Sequence, residues 1–303
     1  MTQHHESHRG QESPSRLMDI VSLAMMIVPF LACMTLKVLT TPASEGINVT
    51  GARIFFTIPL PLGGMPVTES QTNTLAVMIC ILGLCLFLTN GLTVRKPTKR
   101  QIVAEWIVKW VQNFVDSSMG SRFSAFAPFV AAIMALSALS SLSTLVGLYP
   151  PTSDINIVAG WAILVFVLIT YYKLKGGLGP YLKGYFEPIP FFAPFNVISE
   201  IATPVSMAFR HYGNVLSGLV ISTLLGYALQ NLSHLVLGWL PGFLGEFPFL
   251  QIGIPAILSF YFDLFSGCLQ AFIFAMLTML YISSGFDEEA YERRQAKRKA
   301  LRA

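Results

Sequence analysis

Six long apolar runs follow one another along the chain, each bounded by polar or charged residues. A helix needs about 20 predominantly apolar residues to cross the hydrocarbon core of a bilayer, and the runs approach or exceed that length. The pattern therefore predicts an all-α integral membrane protein with about six membrane segments. The predicted segments are residues 17–39, 73–94, 126–148, 155–172, 196–230 and 252–284.

Residues 98–121 carry a different pattern, in which apolar positions recur every three or four residues around Trp106 and Trp110. That spacing is typical of an amphipathic helix with one apolar face. We expect this helix to lie flat on the cytoplasmic surface of the membrane, with its tryptophans among the lipid headgroups.

The composition agrees with a membrane protein. The chain is 53% hydrophobic and only 12% charged, whereas a soluble domain has roughly 25% charged residues. A net charge of +4 is too small to indicate a nucleic-acid-binding protein. The four cysteines lie inside apolar runs without a CxxC pair, and the N-terminal histidines lie in a polar tail, so the sequence predicts neither a metal site nor a cofactor.

Basic residues flank the predicted segments unevenly, and this sets an orientation. They concentrate in residues 95–122, 173–183 and 293–302, whereas the connections 149–155 and 231–251 contain none. Because cytoplasmic loops are enriched in Lys and Arg, we expect those three regions and both tails, residues 1–16 and 286–303, in the cytoplasm.

The first apolar run, residues 17–39, has two interpretations. It could be a signal peptide, but no small-residue cleavage site follows it cleanly. We therefore expect an uncleaved additional span ahead of a membrane core at residues 73–285.

Two charged residues, Arg210 and Asp263, lie deep inside the last two apolar runs. An arginine at the centre of a bilayer costs from about 2.5 to more than 10 kcal/mol, so it should face a partner or a water-filled cavity. Small polar residues at helical spacing also occur in helix-packing seams, but packing does not require charges. The two polar stripes that contain these charges are Thr203, Ser206, Arg210, Asn214 and Ser217, and Ser259, Asp263, Ser266 and Gln270.

The last two segments should form an antiparallel hairpin, since the outer loop at residues 231–251 joins them. Counting residues from that loop places Arg210 level with Gln270, and Asp263 level with Gly218. The carboxylate then lies roughly 10 Å nearer the outside than the arginine. We therefore expect a polar path from the outside that ends near Arg210, without a close Arg–Asp salt bridge.

Three motifs, PVSMAFRHYGN, SGCLQAFIFAMLTMLYI and YPPTSDIN, together resemble subunit a of the F-type rotary ATP synthase of bacteria, over about residues 73–285. The resemblance implies a non-catalytic stator subunit in the plasma (inner) membrane, in contact with the ring of c subunits, the b subunits of the peripheral stalk and lipid. It also implies two half-channels that carry protons to and from the ring. Arg210 matches the essential arginine of the family, Asn214 and Gln270 match its usual companions, and Asp263 stands where relatives have Glu or His.

The chain departs from the family pattern at two places. His211 and Tyr212 follow the arginine where many relatives have Leu-Phe, and Leu219 stands where many have a carboxylate or a histidine. Asp263 could therefore serve alone in the outer half-channel. His211 is either a compensating polar residue or a packing residue.

Other positions and functions stay open at this point. Glu200 could line the inner half-channel or be an interfacial carboxylate, and His234 and Glu246 could line the outer entrance or be solvated loop residues. The transported ion could be sodium instead of the proton. A secondary transporter would need two related halves, which the sequence lacks, and a scaffold would leave Arg210 and Asp263 unexplained.

Overall fold

The computed structural model describes residues 16–40, 51–59, 64–94, 97–186, 189–239 and 249–286, with Tyr291 and Arg293. The predictions for the N-terminal tail, for Glu246 and for most of the C-terminal tail lie outside these residues.

Helices long and apolar enough to cross a membrane occur six times among the described residues, which confirms the predicted all-α membrane fold. The helix Ala193–Leu237 has 45 residues, ten more than the sequence predicted, and is about 68 Å long. A π-helical segment, Phe260–Ser266, joins the last two helices, Phe249–Ser259 and Gly267–Ser284. The helices are α1 Arg16–Thr40, α2 Glu69–Thr89, α3 Lys99–Met119, α4 Ala127–Leu142, α5 Ile155–Gly176, α6 Leu178–Phe186, α7 Ala193–Leu237, α8 Phe249–Ser259 and α9 Gly267–Ser284.

Helix α2 begins four residues earlier than predicted because a capping box forms at its start. Thr68 and Gln71 satisfy each other's backbone N–H groups, so the helix includes the polar residues from Glu69 onward. Ahead of it lies a β-hairpin that the sequence did not predict, with β1 at Ile54–Ile58 and β2 at Met65–Thr68. The Glu69 N–H donates to the Arg53 carbonyl at 2.8 Å, which fixes the hairpin to the start of α2.

Helix α1 packs along α2 and is held at both ends. Near its N-terminus, Asp19 accepts hydrogen bonds from Arg100 at 2.6 Å and from Asn90 at 2.8 Å. In the middle, Gly83 allows close approach, because a Cβ there would lie 2.8 Å from the Ser22 carbonyl oxygen. At the other end, Lys37 contacts α2 and the turn after α4, as described below.

The predicted amphipathic helix corresponds to α3, but its apolar face is divided between two environments. Val111 and Val115 are buried, and Phe114 stacks on Phe272 of α9 with ring centroids 5.2 Å apart. These side chains pack within the protein because α9 offers an apolar partner. Trp106 and Trp110 stay 66% and 44% exposed, so membrane contact of that half remains a prediction.

The core lies where α3, α4, α5, α7 and α9 meet. Its fully buried side chains include Val115, Val130, Val165, Phe274 and Met279. The polar residues of α7 that line the two cavities described below lie towards the two ends of the helix.

Candidate functional site

Helix α7 and the α8–α9 segment pack in the register expected from the loop count. A Cβ on Gly218 would lie 3.0 Å from the Cβ of Phe262, and Asn214 bonds to Ser266, one turn further along each helix. Another turn in the same direction leads to Arg210 on α7 and Gln270 on α9. These two residues therefore lie level with each other on neighbouring helices.

Arg210 lies on the outer surface of this hairpin. Its side chain is exposed and makes no salt bridge or hydrogen bond with any residue that the structure describes. Ser206 and Ser217 are likewise exposed, whereas Asn214 turns towards α9. The predicted polar stripe thus has two parts, and the guanidinium belongs to the part that faces away from the chain.

A polar contact ties α7 to the π segment beside the arginine. The Asn214 side-chain amide donates to the Ser266 hydroxyl at 2.8 Å, and that hydroxyl lies 3.0 Å from the side-chain oxygen (Oδ1) of Asn214. Gln270 is 5% exposed and lies on the buried face of α9. The Asn214–Ser266 pair therefore fixes α7 to the π segment one turn from the level of Arg210.

Asp263 lies on a cavity of about 590 Å³ towards the C-terminal end of α7, which we call the Asp263 cavity. The carboxylate is half-buried, and Thr144 and Ser259 lie beside it on the same wall. Leu219 also lines this cavity and presents an apolar side chain to it. Among the described lining residues, Asp263 is the one that carries a negative charge.

The π segment that contains Asp263 was not predicted, because the spacing of its polar residues also fits a regular α-helix. Pro255 lies inside α8, one turn before the segment, and lacks the N–H that a regular helix would use. Single π turns of this kind occur often at functional sites, since they change the direction of the side chains that follow.

His211 lies on the buried side of α7, whereas Arg210 is exposed. It is fully buried, its Nε2 lies 3.2 Å from the Ser137 hydroxyl, and its ring packs edge-on to Trp161 and Phe274. It does not line the Asp263 cavity. This environment favours the interpretation of His211 as a packing residue.

Glu200 lines a second cavity, of about 380 Å³, towards the N-terminal end of α7, which we call the Glu200 cavity. Its side chain is only 9% exposed and pairs with Lys173 at 3.0 Å. It also accepts hydrogen bonds from Tyr181 at 3.2 Å and from Tyr185. Burial raises the pKa of Tyr181, and the Glu200 carboxylate raises it further.

The sequence predicted Glu200 but missed the three side chains that bind it. Tyr181 and Tyr185 stand four residues apart on α6, a spacing that places two hydroxyls on one helix face. This spacing of two tyrosines was the feature of the sequence that could have indicated a polar site on α6. His234 is exposed near the end of α7 and lines neither cavity.

Comparison with known proteins gives one consistent family. The family model described as "ATP synthase A chain" matches residues 72–283, which leaves α1 outside the match. "ATP synthase subunit a" of Bacillus pumilus (strain SAFR-032) is 35% identical over 237 residues, covering 73% of this chain and 94% of the relative. The proteins of the same name from Desulforamulus reducens and Bacillus subtilis (strain 168) are 34% and 33% identical over 223 and 231 residues. These alignments cover 72% and 71% of this chain and 78% and 92% of the relatives.

Proposed function

Because this chain belongs to the ATP synthase A chain family and is a multi-pass membrane protein, we propose that it provides the two half-channels for protons in a bacterial ATP synthase. In this proposal protons reach and leave the c-ring along this subunit, and their flow drives rotation and ATP synthesis. The subunit itself has no catalytic site.

One observation carries the proposal: the exposed Arg210 lies between two polar cavities along α7. The Glu200 cavity reaches Thr203, seven residues before the arginine, and the Asp263 cavity begins at Leu219, nine residues after it. These separations correspond to about 10 Å and about 13 Å along the helix. Arg210 has no partner among the described residues, and a carboxylate on the ring would supply one at this apolar surface.

The proposed path starts at the outer end of the Asp263 cavity. Asp263 accepts a proton there and passes it to a ring carboxylate that has just released its ion beside Arg210. The neutralised site then turns into lipid, because a protonated carboxyl costs much less to bury than a charged one. A membrane potential supplies about 2.3 kcal/mol per elementary charge per 100 mV for this passage.

Release takes place through the Glu200 cavity towards the cytoplasm. As a returning ring carboxylate approaches Arg210, the positive charge favours its ionised form and the proton leaves. Glu200 lies about 15 Å along α7 from the arginine and, held by Lys173 and the two tyrosines of α6, receives protons at the inner end of this path.

The proposal also includes an arrangement in the membrane. The exposed face of α7 around Arg210 contacts the c-ring, and the exposed half of α3 lies on the inner leaflet of the plasma membrane. Both termini are cytoplasmic, and the b subunits bind elsewhere on the outer surface of this subunit.

The transported ion can be identified in vesicles that contain the complete ATP synthase. We expect ATP to acidify the vesicle interior at the same rate with and without sodium, because one carboxylate flanked by hydroxyls is enough to relay protons. ATP-driven uptake of labelled sodium should be absent. Acidification that requires sodium or is replaced by sodium uptake would favour the sodium-coupled version. Ion uptake driven by a second solute, without ATP, would indicate a secondary transporter.

A further inference from the structure

Lys37, near the end of α1, reaches the wall of the Asp263 cavity. Its ammonium group donates to the carbonyl of Gly147 at 2.5 Å, and the lysine side chain is 33% exposed. Gly147 adopts a left-handed backbone conformation (φ 79°), which turns the chain after α4. Helix α1 thereby contributes a positive charge to a cavity whose other walls come from the turn after α4, from α7, and from α8 with the π segment.

The partner of this charge is a buried carboxylate at the start of α2. Glu69 has a side chain that is 4% exposed, and its Oε1 lies 3.7 Å from the Lys37 ammonium group. That oxygen accepts no hydrogen bond from any residue that the structure describes. When a buried carboxylate oxygen accepts no hydrogen bond, the ion pair is what stabilises its negative charge, so the two charges act together.

The charges at this cavity wall have a negative sum. Among the described lining residues, Lys37 and Asp263 are the charged ones, and Glu69 lies directly behind Lys37, so that one positive charge faces two negative ones. Without Glu69, the positive charge of Lys37 would cancel that of Asp263, and the wall would attract cations less. Clefts lined by one sign of charge change association rates by about tenfold or more.

We propose that the Lys37–Glu69 pair sets the electrostatic potential at the mouth of the Asp263 cavity, and with it the rate at which protons enter. The proposal rests on the proposed function, since it assigns that cavity to proton uptake. It gives α1, which lies outside the family match, a specific role in this chain as a charged wall of the outer half-channel.

The test measures ATP synthesis by the complete enzyme in vesicles after an imposed proton gradient. The side of uptake is kept at about pH 8 and low ionic strength, so that proton supply limits the rate. Glu69→Gln should lower the rate at least about threefold, because it removes one of the two negative charges at this wall. High salt should restore much of this loss by screening. Lys37→Gln/Glu69→Gln should return to within about twofold of the wild type, and Lys109→Gln on the exposed face of α3 serves as the matched control.

The electrostatic account would be overturned by an unchanged rate in Glu69→Gln, or by a double variant as slow as the single one. If Glu69→Gln does not assemble, Lys37→Gln and Lys37→Arg replace it. The proposal then requires Lys37→Gln to be faster than Lys37→Arg at low salt, and equal rates would refute it. A wild-type enzyme that makes no ATP under the gradient would instead refute the proposed function.

Discussion

Replacing Arg210 with alanine is expected to abolish ATP-driven proton pumping, with a loss of at least about tenfold and down to the detection limit. The exposed guanidinium is the one group on this face of α7 that can hold a passing ring carboxylate in its charged form. Without it, the ring site stays protonated as it crosses from one half-channel to the other. Rotation then no longer moves protons, and protons leak down the gradient.

The measurement for this variant combines pumping with the passive proton permeability of the same vesicles. Lys109→Ala removes an exposed positive charge from α3 and should leave both quantities at wild-type values. Normal coupled pumping by Arg210→Ala would contradict the stator interpretation.

Replacing Asp263 with asparagine is expected to slow pumping and synthesis by at least about tenfold. The carboxylate is the acidic group among the described residues that line its cavity, and the amide cannot take up and release a proton at neutral pH. Asp116→Asn is a suitable control, because that carboxylate lies at the C-terminal end of α3, outside both cavities. An unchanged rate in Asp263→Asn would remove this residue from the proton path.

A second-site variant tests whether a carboxylate from another helix can replace Asp263. Leu219 lines the same cavity, so Leu219→Glu in the Asp263→Asn background returns a carboxylate to it from α7. We expect partial recovery of the rate, since the proton needs a titratable group in this cavity. No recovery in a complex that assembles normally would mean that the exact position of Asp263, in the π segment, is essential.

The hydrophobic pattern predicted the spans and the charged residues because a charge is conspicuous in an apolar run. Arg210 and Asp263 could be identified from sequence for this reason. Their relative level could also be predicted, since a helical hairpin with a short loop allows counting from the loop. Asn214 and Ser266 then lie where the count places them.

The directions of these side chains could not be predicted in the same way. His211 and Arg210 are adjacent in sequence, yet one is buried and the other exposed. The difference arises because Ser137, Trp161 and Phe274 come from three other helices and meet only around His211. Sequence spacing within α7 contains no information on those partners.

Contacts between distant charged residues were also beyond the sequence. Lys173 and Glu200 are 27 residues apart, and Lys37 and Glu69 are separated by a β-hairpin that the apolar pattern did not reveal. In the sequence, each of these residues alone resembles a charge at a helix end that only sets the orientation of the helix in the membrane. Only the structure shows that they pair beside a cavity.

The central claim, that two half-channels open on opposite sides of the membrane, is tested most directly by thiol accessibility. With the four native cysteines replaced by alanine, Thr223→Cys reports on the Asp263 cavity and Ser199→Cys on the Glu200 cavity. Leu224→Cys, exposed on α7 but outside both cavities, is the control and should not react in the membrane. Using a membrane-impermeant thiol reagent, we predict that Thr223→Cys reacts only from the outside and Ser199→Cys only from the cytoplasmic side. Reaction of both from the same side would contradict the account.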